Sequence, residues 1–130
     1  MGDPYHALAR IFCTVVNSVQ CIDMKGTTMT QLLIMYNQPI DPAAFDAYYF
    51  ETHVPIFAQS PGIRSVTFNQ GPITSIAGAN NVYLVAQVTF DSMDDLNTAL
   101  ASAPAQAAVA DLPNFAGAGV TILTFDTRAA

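Results

Sequence analysis

The order of strand-like and helix-like segments after Met29 is the feature that most restricts how this chain can fold. Strand-like segments are either continuously apolar, as in "TQLLIMYN", or alternate with period two, as in "IRSVTFNQG". The strand-like segments are 30–37, 63–71, 82–90 and 120–125, and the helix-like segments are 42–58 and 93–112, the second interrupted at Pro104. This β-α-β-β-α-β order predicts an α+β domain with a ferredoxin-like fold, in which an antiparallel sheet carries both helices on one face.

Capping residues support both helix starts. Asp41 has a side-chain acceptor suited to an N-cap, and Pro42 takes the first helical position, where its missing N–H costs nothing. Ser92 and Asp95 have the spacing of a capping box. The first helix then presents one broad face formed by residues that recur at intervals of three and four, which are Phe45, Tyr48, Tyr49, Thr52, His53 and Ile56.

The sheet has apolar residues on both faces, although the helices can cover only one. The face predicted to be uncovered carries Leu33, Met35, Tyr83, Val85, Leu123 and Phe125. Only 11% of the residues are charged, against about 25% in typical proteins, so few side chains can solvate this face. We therefore expect a homodimer that buries the sheet faces against each other and closes an α/β barrel. The alternative is a monomer in which residues 1–28 fold over the face.

The domain organisation and the charge balance exclude several classes of protein. We expect a single domain over 29–130, preceded by an N-terminal extension or arm over 1–28. Ten acidic and four scattered basic residues give a net charge of −6, which argues against nucleic acid and anionic membrane as partners. The apolar run at 11–19 is too short to span a membrane. Cys13 and Cys21 match no metal-binding spacing, and we expect a reducing, cytoplasmic location.

The segment "MTQLLIMYNQPIDPAAFDAYYFETHVPIFAQSPGIRSV" resembles the EthD-like family of the dimeric α/β-barrel superfamily, named after a gene of ethyl tert-butyl ether degradation. The residues that carry the resemblance are Tyr36, Pro39, Phe45, Tyr48, Tyr49, His53, Pro55, Pro61 and Gly62. Tyr49 departs from the family pattern, where tryptophan is common. The resemblance extends over about 29–130 and implies the fold already predicted, but the family is too diverse to name a substrate.

His53 is the residue on which a chemical role most depends. Together with Tyr49, one turn earlier, it is a candidate catalytic residue facing a cavity between helix and sheet. The candidate pocket residues are Tyr36, Tyr48, Phe68 and Phe90. A histidine can move a proton near neutral pH, while tyrosine hydroxyls orient a substrate or stabilise an oxyanion. We expect no cofactor or metal, and cofactor-free proton transfer or oxygenase-associated catabolism of a small hydrophobic or aromatic compound.

Several alternatives remain open at this point. The protein could be a non-catalytic ligand-binding or accessory protein of a degradation pathway, or a haem-binding barrel with His53 as axial ligand. His53 could also be structural, capping carbonyls at the end of its helix. Arg64 could bind a substrate carboxylate, but we expect it to pair with an acid at the edge of the barrel.

Overall fold

A computed structural model describes residues 29–130. The strands are β1 (Thr30–Asn37), β2 (Ile63–Phe68), β3 (Val82–Phe90) and β4 (Val120–Asp126). The helices are α1 (Pro42–Tyr48), a π-helical turn (Tyr49–His53), α2 (Val54–Phe57), α3 (Met93–Ala101), α4 (Ala103–Asp111) and a 3₁₀ turn (Leu112–Asn114). The predicted order of elements is confirmed. The predictions about an N-terminal arm and about Cys13 and Cys21 lie outside the described residues.

The four strands form one antiparallel sheet in the order β2-β3-β1-β4. The two central strands, β1 and β3, pair along their whole length, and β4 and β2 are the edges. Helices α1 and α3 both contribute to the buried cluster on one side of this sheet, through Phe45 and Leu96. This is the ferredoxin-like arrangement expected from the sequence.

The predicted caps begin the helices. The Asp41 side chain accepts a hydrogen bond from the Ala44 N–H at 3.1 Å, and Ser92 Oγ accepts one from the Asp95 N–H at 3.1 Å. The second helix is interrupted as predicted, but at Ser102 and not at Pro104: the first segment ends at Ala101, and the next begins at Ala103 with Pro104 in its first turn. Local side-chain chemistry therefore accounts for where these helices start.

The core lies between the sheet and the helices. Alternate residues of the two central strands are buried on this side, namely Leu32, Ile34, Tyr36, Leu84, Ala86, Val88 and Phe90. On the opposite side, Leu123 and Phe125 remain 46% and 40% exposed in the described part of the chain. The other face is therefore apolar as well, as the sequence indicated.

Tyr83 lies on the side opposite to the one predicted. The register between β1 and β3 shifts after Tyr36, so Tyr83 is an extra residue that has no partner on β1. Its ring packs on Phe45 with centroids 5.6 Å apart, and its hydroxyl donates to the Asp46 carboxylate at 2.9 Å. A bulge inverts the alternation of side chains, and for this reason the prediction from period two is wrong.

Candidate functional site

His53 ends a π-helical turn within an otherwise α-helical segment. The N–H of Val54 donates to the Tyr49 carbonyl five residues earlier. Pro55 follows, and its ring would clash with the Glu51 carbonyl in a regular α-helix and could not donate to it. Such π turns are rare and concentrate at functional sites. Here the wider turn accommodates the proline while Tyr49 and His53 both stay buried, at 3% and 5% exposure.

The imidazole of His53 is held by a carboxylate from the other half of the chain. Its Nδ1 lies 3.0 Å from Oδ2 of Asp111, the last residue of α4. Asp111 also accepts a hydrogen bond from the Tyr48 hydroxyl at 2.5 Å and one from Asn114 Nδ2 at 2.9 Å. Burial alone would raise the pKa of Asp111, but the bonds from Tyr48, Asn114 and His53 together lower it. Asp111 is therefore a firmly ionised acceptor.

This contact decides which nitrogen of His53 is free to react. An ionised carboxylate only accepts, so the proton of the neutral ring lies on Nδ1, and Nε2 carries the lone pair. Within residues 29–130, no hydrogen bond engages Nε2. The interpretation of His53 as a cap for the carbonyls of its own helix is wrong, because the ring bonds to Asp111. A histidine held by a carboxylate in this way can act as a general base.

Two small cavities flank His53. One has a volume of about 50 Å³ and lies among β1, α4 and the Ile122 side chain. The other, of about 20 Å³, lies toward β2 and β3 and contacts Phe68. Tyr36 borders the larger cavity and Tyr49 the smaller one, so each cavity has one tyrosine beside the shared histidine. The remaining walls are apolar.

Tyr36 and Tyr49 form a pair next to the histidine. Their ring centroids are 5.2 Å apart, and Tyr49 stacks on His53 at 5.5 Å with an interplanar angle of 22°. Burial raises the pKa of both hydroxyls well above the ordinary range, and each hydroxyl also affects the pKa of the other. Both tyrosines therefore stay protonated near neutral pH.

The Phe115 ring covers the site. Phe115 lies directly after the 3₁₀ turn (Leu112–Asn114). Its ring centroid lies 4.5 Å from that of His53 and 5.5 Å from that of Tyr36. It also packs on the rings of Phe45, Tyr48 and Tyr49. Phe115 therefore contacts His53 and both of the tyrosines beside it.

With this geometry described, comparison with known proteins assigns the family. A family model described as the EthD domain matches residues 37–119. The chain belongs to the EthD domain family. The match spans the helix of His53, strands β2 and β3, and the helix of Asp111.

Two relatives support the EthD assignment. An uncharacterized 11.0 kDa protein in the thcB-thcC intergenic region of Rhodococcus erythropolis is 41% identical over 99 residues, which cover 75% of this chain and 94% of that protein. The crystal structure of an ethyl tert-butyl ether d (ethd) family protein from Bacillus halodurans is 30% identical, with a TM-score of 0.68. The alignment covers 76% of this chain and 98% of that structure.

More distant structures share the fold alone. One is a dimeric protein of unknown function and ferredoxin-like fold from Bacteroides fragilis, 12% identical with a TM-score of 0.53, covering 76% of this chain and 96% of that one. Another is a mutant of SnoaB, a cofactor-independent oxygenase from Streptomyces nogalater, 18% identical with a TM-score of 0.55, covering 80% and 96%. Structures similar to this EthD protein are thus described as dimeric.

The structure brings three of the residues singled out in the sequence into one place. His53, Tyr49 and Tyr36 are neighbours, and Phe68 borders the smaller cavity. Tyr48 borders neither cavity beside His53; its hydroxyl bonds to Asp111 instead.

Phe90 does not join the site. It is fully buried and pairs with Thr30, six residues along β1 from Tyr36. Phe90 lines neither of the two cavities beside His53. Arg64 pairs with Asp91 at 3.3 Å, as predicted.

Sequence reasoning missed Asp111, Asn114 and Phe115. Asp111 closes an apolar helix and Phe115 stands in a turn rich in proline and glycine, so neither shows a local pattern that points to a site. Within 29–130, histidine, cysteine and acidic residues form no cluster of three or more suited to a metal ion. Over the same residues, no helix has the length and apolar character needed to cross a membrane.

Proposed function

We propose that this EthD protein catalyses cofactor-free proton transfer on a small, uncharged hydrophobic or aromatic compound, with His53 as general base. The observation that carries the proposal is the bond between His53 Nδ1 and Asp111, which leaves Nε2 unbonded among the described residues and beside apolar cavities. A positioned histidine typically accelerates proton transfer by about 10²–10⁴-fold. Asp111 acts as a positioning residue because it holds the ring and stabilises the imidazolium that forms.

The proposed step begins with Nε2 of His53 taking a proton from an acidic C–H or O–H group of the substrate. The electron pair left behind moves onto an adjacent carbonyl or ring oxygen. A hydroxyl of Tyr36 or Tyr49 donates to this oxygen and stabilises its negative charge, because both tyrosines remain protonated. The proton is returned from the imidazolium to another atom of the product, so no redox partner is required.

The walls of the site favour an uncharged substrate. Neither cavity beside His53 is lined by lysine or arginine among the described residues. A carboxylate or phosphate would therefore be desolvated there without a partner, which is costly. The description of SnoaB as cofactor-independent supports such chemistry on this fold. The family name supports a place in catabolism, including the degradation of ethers.

The functional unit in this proposal is a homodimer formed through the sheet face opposite the helices. The half-exposed Leu123 and Phe125 lie there, next to Leu33 and Gln31 of β1. The side-chain oxygen of Gln31 accepts hydrogen bonds from Gln87 and Thr89 on this face. A face that is apolar and internally hydrogen-bonded suits burial against a second copy.

The haem-binding alternative does not fit the site. The spaces beside His53 measure about 50 and 20 Å³, so a macrocycle would require a far larger rearrangement of the walls than the small compounds proposed above. Haemin added to the purified protein should give no sharp Soret band that depends on His53.

Hydrogen–deuterium exchange tests the enzymatic proposal. A panel of neutral carbon acids and phenols, such as aromatic 1,3-diketones and naphthols, is incubated in D₂O with the protein, and loss of the C–H signal is followed by NMR. We expect catalysed exchange by the native chain and none above background by His53→Gln. Binding without exchange by both proteins would instead support the non-catalytic ligand-binding alternative.

A further inference from the structure

We propose that small ligands reach His53 through an opening between α4 and the edge strand β4, and that Val109 and Ile122 limit the width of what can enter. The inference deepens the proposed function and rests on it for the identity of the reactive residue. It concerns the approach to that residue, which can be measured whether or not the protein turns over a substrate.

The larger cavity beside His53 reaches the surface at this opening. Its lining includes His53, Val109 of α4 and Ile122 of β4. Val109 and Ile122 are 52% and 45% exposed. The other described residues that line this cavity are buried or only partly exposed. The cavity therefore meets solvent between these two side chains, which belong to two different elements.

The opening exists because the helical layer ends before the sheet does. Ile122 pairs with Ile34 of the central strand β1, so both side chains lie on the side of the sheet that faces the helices. Ile34 is nevertheless only 8% exposed, whereas Ile122 is 45% exposed. The helices thus cover β1 but leave the same side of the edge strand β4 uncovered.

Short side chains on α4 leave the space that leads inward from the opening. Ala105 and Ala108 are buried and line the cavity, together with Val109 and Leu112 of the same helical segment. These positions are three and four residues apart, so they share one face. Interiors are close-packed, and a longer side chain at either alanine would fill the space beside His53.

The size of the cavity favours ligands that enter end-on. Its volume is about 50 Å³, well below the roughly 300–1,000 Å³ of pockets that enclose a whole drug-sized ligand. The acidic end of a compound can lie beside His53 while its apolar body extends between Val109 and Ile122. The body then covers two apolar side chains that are otherwise exposed to water, which is favourable. Compounds branched next to the reactive group should be excluded.

The proposed dimer leaves this opening free. Successive side chains of a strand lie on opposite faces of a sheet. Leu123 therefore faces away from Ile122, toward the sheet face that we propose is buried between two copies. Ligand entry and dimerisation use different sides of β4.

The test compares two neutral electrophiles of different width, diethyl pyrocarbonate and the bulkier di-tert-butyl dicarbonate. With each reagent, a nitrogen of the unprotonated imidazole forms a bond to one carbonyl carbon. Carbon dioxide leaves together with ethanol or tert-butanol, which takes up the proton that the ring loses. Peptide mass spectrometry measures the rate at His53 separately from that at His6. N-acetylhistidine in the same tube corrects for the intrinsic reactivity of each reagent.

The width of the opening should control both rates. In the native chain, we expect the corrected rate at His53 to be several-fold higher with the narrower reagent. Ile122→Trp and Val109→Trp should each lower both rates several-fold. Val109→Ala should raise the rate of the bulkier reagent several-fold. Since Val109 and Ile122 test the opening from opposite sides, the one that thermal melting shows to be folded suffices if the other is not.

Two matched tryptophan variants serve as controls for other routes to His53. Ala58→Trp enlarges an exposed residue that lines the smaller cavity. Ile40→Trp enlarges a fully exposed residue that lines the surface cleft at Phe115. Both should leave the rate at His53 unchanged. Equal rates in the native chain and Ile122→Trp, or a larger fall in either control, would overturn the proposed opening. If the rates follow the opening but no substrate undergoes exchange, the entry route stands and the enzymatic proposal fails.

Discussion

The Asp111 carboxylate binds Nδ1 of His53 at 3.0 Å, across 58 positions of sequence. The two residues come from the two halves of the domain, one from the end of the π turn and one from the end of α4. The carboxylate orients the ring and holds its proton on Nδ1. The proposed proton transfer therefore depends on the contact between these two residues.

Replacing Asp111 tests this coupling directly. In Asp111→Asn the carboxylate charge that stabilises the imidazolium is lost, so we expect catalysed exchange to fall by about 10²-fold or more. The buried hydrogen bonds are also weakened, which should destabilise the fold by about 1–3 kcal/mol. Exchange rates and urea unfolding measure the two effects. Asp46→Asn, which affects a carboxylate bound by Tyr83, is the control; an equal loss of exchange there would contradict the role of Asp111.

Acid should destabilise the native chain through Asp111. The pKa of this carboxyl is lower in the folded chain than its usual value of 3.8. Its contribution to the free energy of unfolding is therefore fully present above about pH 3.8 and is lost as the pH falls through the lower folded-state pKa. Urea unfolding at decreasing pH should show the native chain and Asp111→Asn converging in stability below this value. A stability difference that stays constant down to the lowest pH would oppose the prediction.

Tyr48→Phe removes one of the donors to Asp111 without changing the charge of the site. We expect the pKa of Asp111 to rise toward its usual value, because the hydrogen bond from Tyr48 favours the ionised form. Carbon-13 NMR of the aspartate carboxyl groups measures the shift. Tyr83→Phe is the matched control, since it removes a tyrosine hydroxyl that bonds to Asp46 instead. An unchanged Asp111 pKa in Tyr48→Phe would show that the bond is weak in solution.

A charge on the uncovered sheet face should separate the proposed dimer. The native chain is expected to have twice the 13.9 kDa mass of one chain in light scattering. Leu123→Asp should give the mass of a single chain, because an unpaired carboxylate would be buried in the interface. Ile76→Asp, at a fully exposed loop residue, should leave the mass unchanged. A native protein that is already monomeric at micromolar concentration would refute the dimer.

Gly119 should be the sensitive glycine of the turn that carries Phe115. Its φ is +116°, and an added Cβ would lie 2.6 Å from Asn37 Nδ2. Gly119→Ala should therefore lower the free energy of unfolding by about 1–3 kcal/mol through backbone strain. At Gly117, an added Cβ meets nothing within 4 Å, so Gly117→Ala should be close to neutral. Chemical denaturation compares the two variants, and equal stabilities would contradict the strain.

Local patterns predicted most of the fold. The bounds of β1 and β3 and the caps at Asp41 and Ser92 agree with the structure, because each depends on residues close together in sequence. The bulge at Tyr83 was not predicted, since a period of two contains no information about where the partner strand changes register. The π turn was not predicted for a related reason. Pro55 suggests that the first helix bends or ends there, but packing against the neighbouring elements decides that the helix continues.

The sequence by itself determined that His53, Tyr49 and Tyr36 belong to one family pattern and that the sheet has two apolar faces. Only the tertiary structure decided what surrounds His53. It placed Asp111 at Nδ1 and Phe115 over the ring, and it placed Phe90 elsewhere. The physical reason is that helix periodicity and capping act over a few residues. The partners of a buried imidazole are instead set by how a crossover brings the end of α4 against the first helix, which no local pattern encodes.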